Sequence, residues 1–251
     1  MNAALEQAVN VLRNSRRVTV LTGAGVSKES GVPTYRDALT GLWANYNFQD
    51  LASSQGFLRD PAAVWDWYEA RRSQLRDVLP NAGHLALAEL ARRFEQFVLI
   101  TQNVDDLHER GGSRDVIHLH GHLMETKCFF DCRGNPTRVE PKDYVLRDVS
   151  PPACPHCGRW LRPNVVWFTE MLPQDDYQRA ESASAACDVM LVVGTSGLVY
   201  PAASLPPIAA MTGATVIEVN PEETDISQVA HIHLRGPSGT VLPQVLEALG
   251  A

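Results

Sequence analysis

His120 stands in Asp115-Val-Ile-His118-Leu-His120-Gly121, a β-type segment in which residues two apart share one face. An imidazole titrates near neutrality and can take a proton from a hydroxyl, so His120, at the strand's end before a glycine, is the candidate general base. His118 and His122 offer the same group and remain rivals on spacing alone. A second polar set leaves a strand in Leu99-Ile-Thr101-Gln102-Asn103-Val-Asp105-Asp106-Leu-His108, where an amide and a carboxylate can grip a carboxamide or, equally, cap the next helix. The run Val18-Thr-Val-Leu-Thr-Gly23-Ala24-Gly25-Val-Ser27-Lys28 is a buried-strand pattern opening into a glycine turn, which lets backbone N–H groups approach a pyrophosphate. Lys28 occupies the place of the third glycine of the ordinary dehydrogenase fingerprint, which is therefore incomplete. Val193-Gly194-Thr195-Ser196 and Glu218-Val-Asn220-Pro221 follow two further strands; they can hold phosphate and ribose or serve as plain turns.

Cys128-Phe-Phe-Asp-Cys132 and Cys154-Pro-His-Cys157 form two close pairs, the spacing of two knuckles that close a four-thiolate zinc site. His122 or His156 can in principle replace one sulfur. A closed site of this kind has no open position for water, so one structural Zn2+ per chain is expected. The fifth cysteine, Cys187, precedes an apolar strand and reads as a small core residue.

These groups need a scaffold with strand ends converging on one cleft. Strands are expected at 17–22, 97–101, 115–120, 188–194, 214–219 and 231–234, with helices at 3–14, 83–94, 175–186, 201–212 and 240–249. The alternation predicts an α/β fold, a Rossmann-like parallel sheet with helices on both faces, formed by 1–36, 83–121 and 167–251. Residues 37–82 and 122–166 break it and are assigned to a small zinc-binding and helical lobe, with a helix starting at Asp60 as N-cap and Pro61. The formal charge of −7 disfavours nucleic acid as a partner. Apolar runs too short to span a bilayer predict no membrane partner, and residues 1–15 lack a leader pattern, so the expected location is the cytoplasm.

In this order the motifs Gly-Ala-Gly-Val-Ser, Ser-Gly-Val-Pro-Thr-Tyr-Arg36, Thr-Gln-Asn-Val-Asp, His120-Gly121, the cysteine pairs, Gly-Thr-Ser and Val-Asn-Pro resemble the sirtuin family over nearly the whole chain. The resemblance implies NAD+-consuming removal of acyl groups from lysines of proteins or peptides, yielding nicotinamide, O-acyl-ADP-ribose and free lysine. It implies that Gly23, Ala24, Gly25, Ser27 and Arg36 serve the pyrophosphate, Asn103 and Asp105 the nicotinamide and Gln102 the ribose. Gly194, Thr195, Ser196, Asn220 and Ser238 fall where the family holds the adenosine half. Val165-Val166-Trp167-Phe168 matches the segment that takes the substrate peptide as an added strand. Tyr35 replaces the commoner phenylalanine, His118 is unusual at its place, and Thr169 replaces a glycine.

Val64, Tyr68, Arg71 and Leu75 lie along one helical stripe, and an arginine on an apolar stripe needs an anion. Tyr68 and Arg71 can jointly meet a carboxylate, or Arg71 can extend to solvent beside Arg72. Tyr-x-x-Arg at this place resembles the sirtuin branch that accepts succinyl- and malonyl-lysine, with acetyl also accepted. The alternative function is transfer of ADP-ribose onto a protein, since both reactions begin with loss of nicotinamide.

Overall fold

The computed structural model describes residues 3–33, 47–144 and 150–250. Six parallel strands form the main sheet: β1 (Arg17–Thr22), β2 (Gln96–Thr101), β3 (Ile117–His118), β6 (Val189–Val193), β7 (Thr215–Asn220) and β8 (Ile232–Arg235), in the order β3-β2-β1-β6-β7-β8. The chain steps outward one way from β1 and then returns to its other side through β6, so the topological switch point lies between β1 and β6. Ligands of open α/β sheets bind at that point, beyond the strands' C-terminal ends.

Both faces of the sheet are covered, which is why its strands read as continuous apolar runs. Val189, Leu191 and Val193 of β6 pack with α1 (Ala3–Arg13), α6 (Ala82–Leu90) and α10 (Ser238–Gly250). The alternate residues Met190 and Val192 pack with α8 (Gln174–Ala186) and α9 (Leu205–Met211). The strand expected over 115–120 is shorter than its pattern. Asp115 takes a left-handed φ of 52° and cannot extend the strand, while Gly121, at φ 79°, turns the chain out of the sheet. The alternation of His118 and His120 within one strand therefore stops at His118. The helix expected over 201–212 begins at Leu205, after a short 3-10 turn, where Pro206 sits in the first turn and needs no N–H partner.

The remaining elements surround a second, antiparallel pair: β4 (Gly121–Cys128) and β5 (Leu161–Val165). Short helices α3 (Phe48–Leu51) and α4 (Ser54–Arg59) flank the longer α5 (Pro61–Arg76), whose N-cap is Asp60, bonded to the Ala63 N–H, while α2 (Gly25–Lys28) packs on α10 and α7 (Leu107–Arg110) on α6. Leu51, Phe57, Val64, Trp67, Tyr68 and Trp167 form a core of their own with Leu123 and Val165. The β4–β5 register shifts between His122 and Thr126, and such a bulge strips carbonyls of ladder partners. Arg72 meets them: its buried guanidinium donates to the carbonyls of Leu123 and Glu125 at 2.6 Å each and pairs with Glu69 at 2.7 Å. Arg72 is thus the inward arginine of the pair, and Arg71 is half-buried with its guanidinium 5.0 Å from the Trp67 ring centroid. No helix among the described residues is long and apolar enough to cross a membrane.

At the switch point the turns after β1 and β6 touch backbone to backbone. A Cβ on Gly25 would stand 2.7 Å from Gly194 Cα, with no flexible side chain to yield. Gly25→Ala is expected to cost about 1–3 kcal/mol of stability, seen as a lower urea midpoint with unchanged slope.

Candidate active site

The glycine turns build the floor of the site. Gly23 N–H donates to the Val193 carbonyl at 3.0 Å and Gly25 N–H to the Gly194 carbonyl at 2.8 Å, so the two loops are held together without side chains. Gly194 adopts φ 62°, a region that favours glycine. Thr195 joins the neighbouring elements: Gln102 Nε2 donates to its hydroxyl at 2.9 Å, and Asn220 Nδ2 to its carbonyl at 3.0 Å. Gln102, Thr195 and Asn220 are therefore one connected group, with Ser196 exposed beside it. Ala24 is exposed at the mouth of the first turn. Ser238 is placed differently, at the start of α10, where it and the Gly239 N–H both donate to the Glu29 carboxylate.

Beneath the turns lies a buried polar cluster. Ser27 Oγ donates to Asp105 Oδ2 at 3.0 Å and accepts from Asn103 Nδ2 at 3.0 Å. Asp105 also takes the Leu107 N–H, yet burial outweighs both bonds and raises its pKa. Thr22 Oγ1 bonds Thr101 Oγ1 at 2.8 Å and His108 Nε2 at 2.9 Å, and Thr101 Oγ1 accepts the Asn103 N–H. His84 approaches Ser27 at 3.5 Å while its Nδ1 accepts the Asn81 N–H in a capping box. Burial keeps both histidines neutral, lowering His84 to about 4 and His108 to about 3.

The three candidate bases differ sharply. His120 Nδ1 lies 2.9 Å from the Gln102 carbonyl, which can only accept, so the proton sits on Nδ1 and the Nε2 lone pair is left for a substrate proton. Burial lowers its pKa against the effect of the Gln102 bond, keeping the ring neutral near pH 7. His118 meets the Glu109 carboxylate through Nε2 at 2.6 Å and the Asn103 carbonyl through Nδ1 at 3.3 Å, so both nitrogens donate. Burial works against that charge, but the Glu109 pair prevails and its pKa is raised. His122 is held down by burial first and by the His118 charge next. His120 alone combines a fixed tautomer with the Gln102–Asn103–Asp105 strand end.

On the expected substrate side, the Val166 N–H donates to the His120 carbonyl at 2.8 Å, the Trp167 N–H to Glu170 at 2.9 Å and the Phe168 N–H to the Ala52 carbonyl at 3.0 Å. A peptide adding here as a strand has to exchange one of these bonds or use carbonyls. Phe168 is exposed, whereas Trp167 is buried and its Nε1 donates to the Tyr68 hydroxyl at 2.9 Å. Tyr68 lies one helical turn from Arg71 on α5. Glu170 secures this corner through Arg162, which is buried and 2.5 Å away. Thr169 takes φ 72°, the left-handed region that suits the glycine it replaces better than a β-branched residue.

The four cysteines fit a metal closely. Sγ–Sγ separations are 3.6 Å for Cys128–Cys157 and 3.9 Å for Cys132–Cys154, and all four sulfurs lie within 4.8 Å of one another. Tetrahedral Zn–S bonds of ~2.3 Å set sulfurs ~3.8 Å apart. Disulfides, at ~2.0 Å, are excluded. His156 and His122 lie outside this group.

Residues 23–201 match the Sir2 family. The chain belongs to the Sir2 family, the sirtuins. It is 50% identical over 242 residues to an NAD-dependent protein deacylase of Methylococcus capsulatus, covering 95% of this chain and 94% of that protein. Identity to NAD-dependent protein deacylase 1 of Pseudomonas aeruginosa is 48% over 246 residues, with 96% and 98% covered. Among solved structures, a Sir2 homologue in complex with NAD superposes with TM-score 0.88 at 45% identity, covering 98% of this chain and 93% of that one. A mutant Sir2 with a p53 peptide and NAD gives TM-score 0.85 at 31% identity, covering 100% and 99%. The sirtuin motif residue Arg36 and neighbouring Tyr35 lie outside the described residues. Glu109, Glu170 and Arg162 escaped the sequence reading, because their partners are distant in sequence or carry no periodic signal; His84 left a weak sign in its Asn81 capping pair.

His84 and His108 couple this site to pH. In the unfolded chain an imidazole titrates near 6.5, so below that value the unfolded state binds protons that the native state refuses until about 4 and 3. Their contribution is therefore present above about pH 6.5 and lost as pH falls. His118, whose pKa is raised, acts in the opposite sense: its contribution grows as pH falls toward about 6.5 and levels off below it. Urea unfolding from about pH 7 to about 5 is expected to show declining stability, with His108→Asn flattening the slope by up to about 1.4 kcal/mol per pH unit.

Proposed function

We propose that this protein is an NAD-dependent protein-lysine deacylase, releasing nicotinamide, O-acyl-ADP-ribose and free lysine. The observation that carries the reading is the His120 ring, its proton fixed on Nδ1 by Gln102 and its Nε2 open beside the polar end of β2. Bound NAD supplies an activated sugar carbon with nicotinamide as the leaving group, so that the acyl oxygen can be transferred to the sugar. Gly23, Ala24, Gly25, Ser27 and Arg36 would hold the pyrophosphate, and Gly194, Thr195, Ser196, Asn220 and Ser238 the adenosine half. The fit rests on two turns without side chains and on the Gln102–Thr195–Asn220 group that ties them to the neighbouring strands. Asn103 and Asp105, braced by Ser27, would orient the carboxamide, while Gln102 meets the ribose. His120 Nε2 takes the proton of a ribose hydroxyl. Its lowered pKa keeps it ready as a base through neutral pH. Cys128, Cys132, Cys154 and Cys157 would hold one structural zinc ion.

Val166, Trp167 and Phe168 would receive the acyl-lysine peptide, with Tyr68 and Arg71 at the acyl end. Tyr68 is positioned by the Trp167 bond, and a guanidinium one turn away supplies charge and a forked pair of donors, which favours acidic chains such as succinyl and malonyl. Acetyl remains accepted, since it leaves only that subsite unused.

The test is incubation with NAD+ and acetyl-, succinyl- and malonyl-lysine peptides, with products identified by mass. His120→Ala is expected to lower kcat by about 10²–10⁴ on every peptide. Unchanged turnover in that variant removes His120 as the base, and ADP-ribose found on protein would replace deacylation by ADP-ribosyl transfer. Arg71→Met is expected to reduce kcat/KM for succinyl and malonyl peptides at least ~10-fold more than for acetyl. Equal losses would refute the acidic-acyl assignment.

A further inference from the structure

Away from the four thiols, His118, His122 and Glu109 each offer one ligand atom, all three atoms lying within 4.8 Å of one another. The fold brings them together from three elements. His118 ends β3 in the parallel sheet, His122 is the second residue of β4 in the antiparallel pair, and Glu109 lies on α7. The turn at Gly121 reverses the chain between the two histidines and sets their rings 4.9 Å apart, inclined at 60°.

We propose that Glu109, His118 and His122 form a second metal site, a two-imidazole, one-carboxylate set for Zn2+ with its fourth position open to solvent. Three features beyond proximity favour it. The His118 Nδ1–H donates to the Asn103 carbonyl, so Nε2 is the nitrogen presented, and this is the outer hydrogen bond that orients metal-binding histidines. His122 Nδ1 is buried with no hydrogen-bond partner among the described residues, an expensive arrangement that coordination through this nitrogen would relieve. Glu109 is exposed, which gives an ion an entry path and the carboxylate freedom to adjust.

The geometry needs only small movements. Bonds of ~2.0–2.1 Å from a tetrahedral Zn2+ set neighbouring N and O ligands ~3.3 Å apart. Glu109 Oε1 and His118 Nε2, now 2.6 Å apart, would open slightly, and His122 would close. Binding exchanges the proton between Glu109 and His118 for the cation, and that proton leaves to solvent. Imidazole with carboxylate suits Zn2+ and Co2+ better than Mg2+ or Ca2+, which prefer all-oxygen shells. The site is distinct from the four-thiolate group, sharing no ligand with it.

The experiment uses the full chain with its thiolate-bound zinc retained. Titration with Co2+ is expected to give the visible absorption of a four-coordinate N/O site, saturating at one equivalent, while elemental analysis still counts the original zinc. Zn2+ should displace the Co2+ and bring the total to two zinc ions per chain. Glu109→Gln and His122→Gln should each weaken Co2+ binding at least ~10-fold, and His120→Ala should leave it unchanged. Thermal melts without added metal establish that each variant is folded, and two substitutions on different elements keep the test decisive if one is not. A wild-type chain that takes up no second equivalent, or both folded variants binding as tightly as wild type, would overturn the site.

Discussion

The contact on which the rest of the molecule depends is the backbone-to-backbone meeting of the turns after β1 and β6. Gly25 and Gly194 approach so closely that neither tolerates a β-carbon, and the Gly25 N–H closes the contact on the Gly194 carbonyl. Strand order makes this meeting point the place where the chain changes direction across the sheet, so the same feature that completes the core also opens a crevice. Several of the polar groups proposed for the cofactor are referred to that point. Thr195 follows Gly194 directly, Gln102 and Asn220 bond Thr195, and Ser27, two residues beyond Gly25, braces Asn103 and Asp105.

Away from the crevice, two buried guanidinium groups do what apolar packing cannot. Arg72 meets carbonyls left by the bulge in β4, and Arg162 pairs with Glu170 beneath the 166–168 segment. Each charge is fully provided with acceptors, the condition under which burying it is tolerable. Removing either partner would leave carbonyls or a carboxylate dry and unmatched. These pairs, together with four sulfurs at tetrahedral spacing, hold a region whose own apolar core is modest.

Much of this was legible in the sequence. Strand periodicity located all six members of the parallel sheet, because runs such as Val189–Val193 must be covered on both sides. The cysteine spacing announced the metal group, since two tight pairs have few other uses. The limits are equally physical. The strand through His118 looked longer than it is because backbone conformation at Asp115 and Gly121 leaves no mark in an alternation of apolar residues. The neighbouring arginines of α5 could not be told apart, because which one turns inward is decided by a bulge in a strand far away in sequence. His118 and His120 look alike as letters, and only their partners, a carboxylate for one and a lone carbonyl for the other, separate a ring drawn toward its charged form from one held toward its neutral form.

His120 is anchored twice: its ring on the Gln102 carbonyl at the end of the parallel sheet, its main-chain oxygen on the Val166 N–H just past β5. Its imidazole therefore registers the alignment of the two sheets. A displacement of the metal-bearing side would bear, through the Val166 N–H, on the residue proposed as the base, which offers distant events, from loss of the metal to engagement of a peptide, a mechanical route to that imidazole.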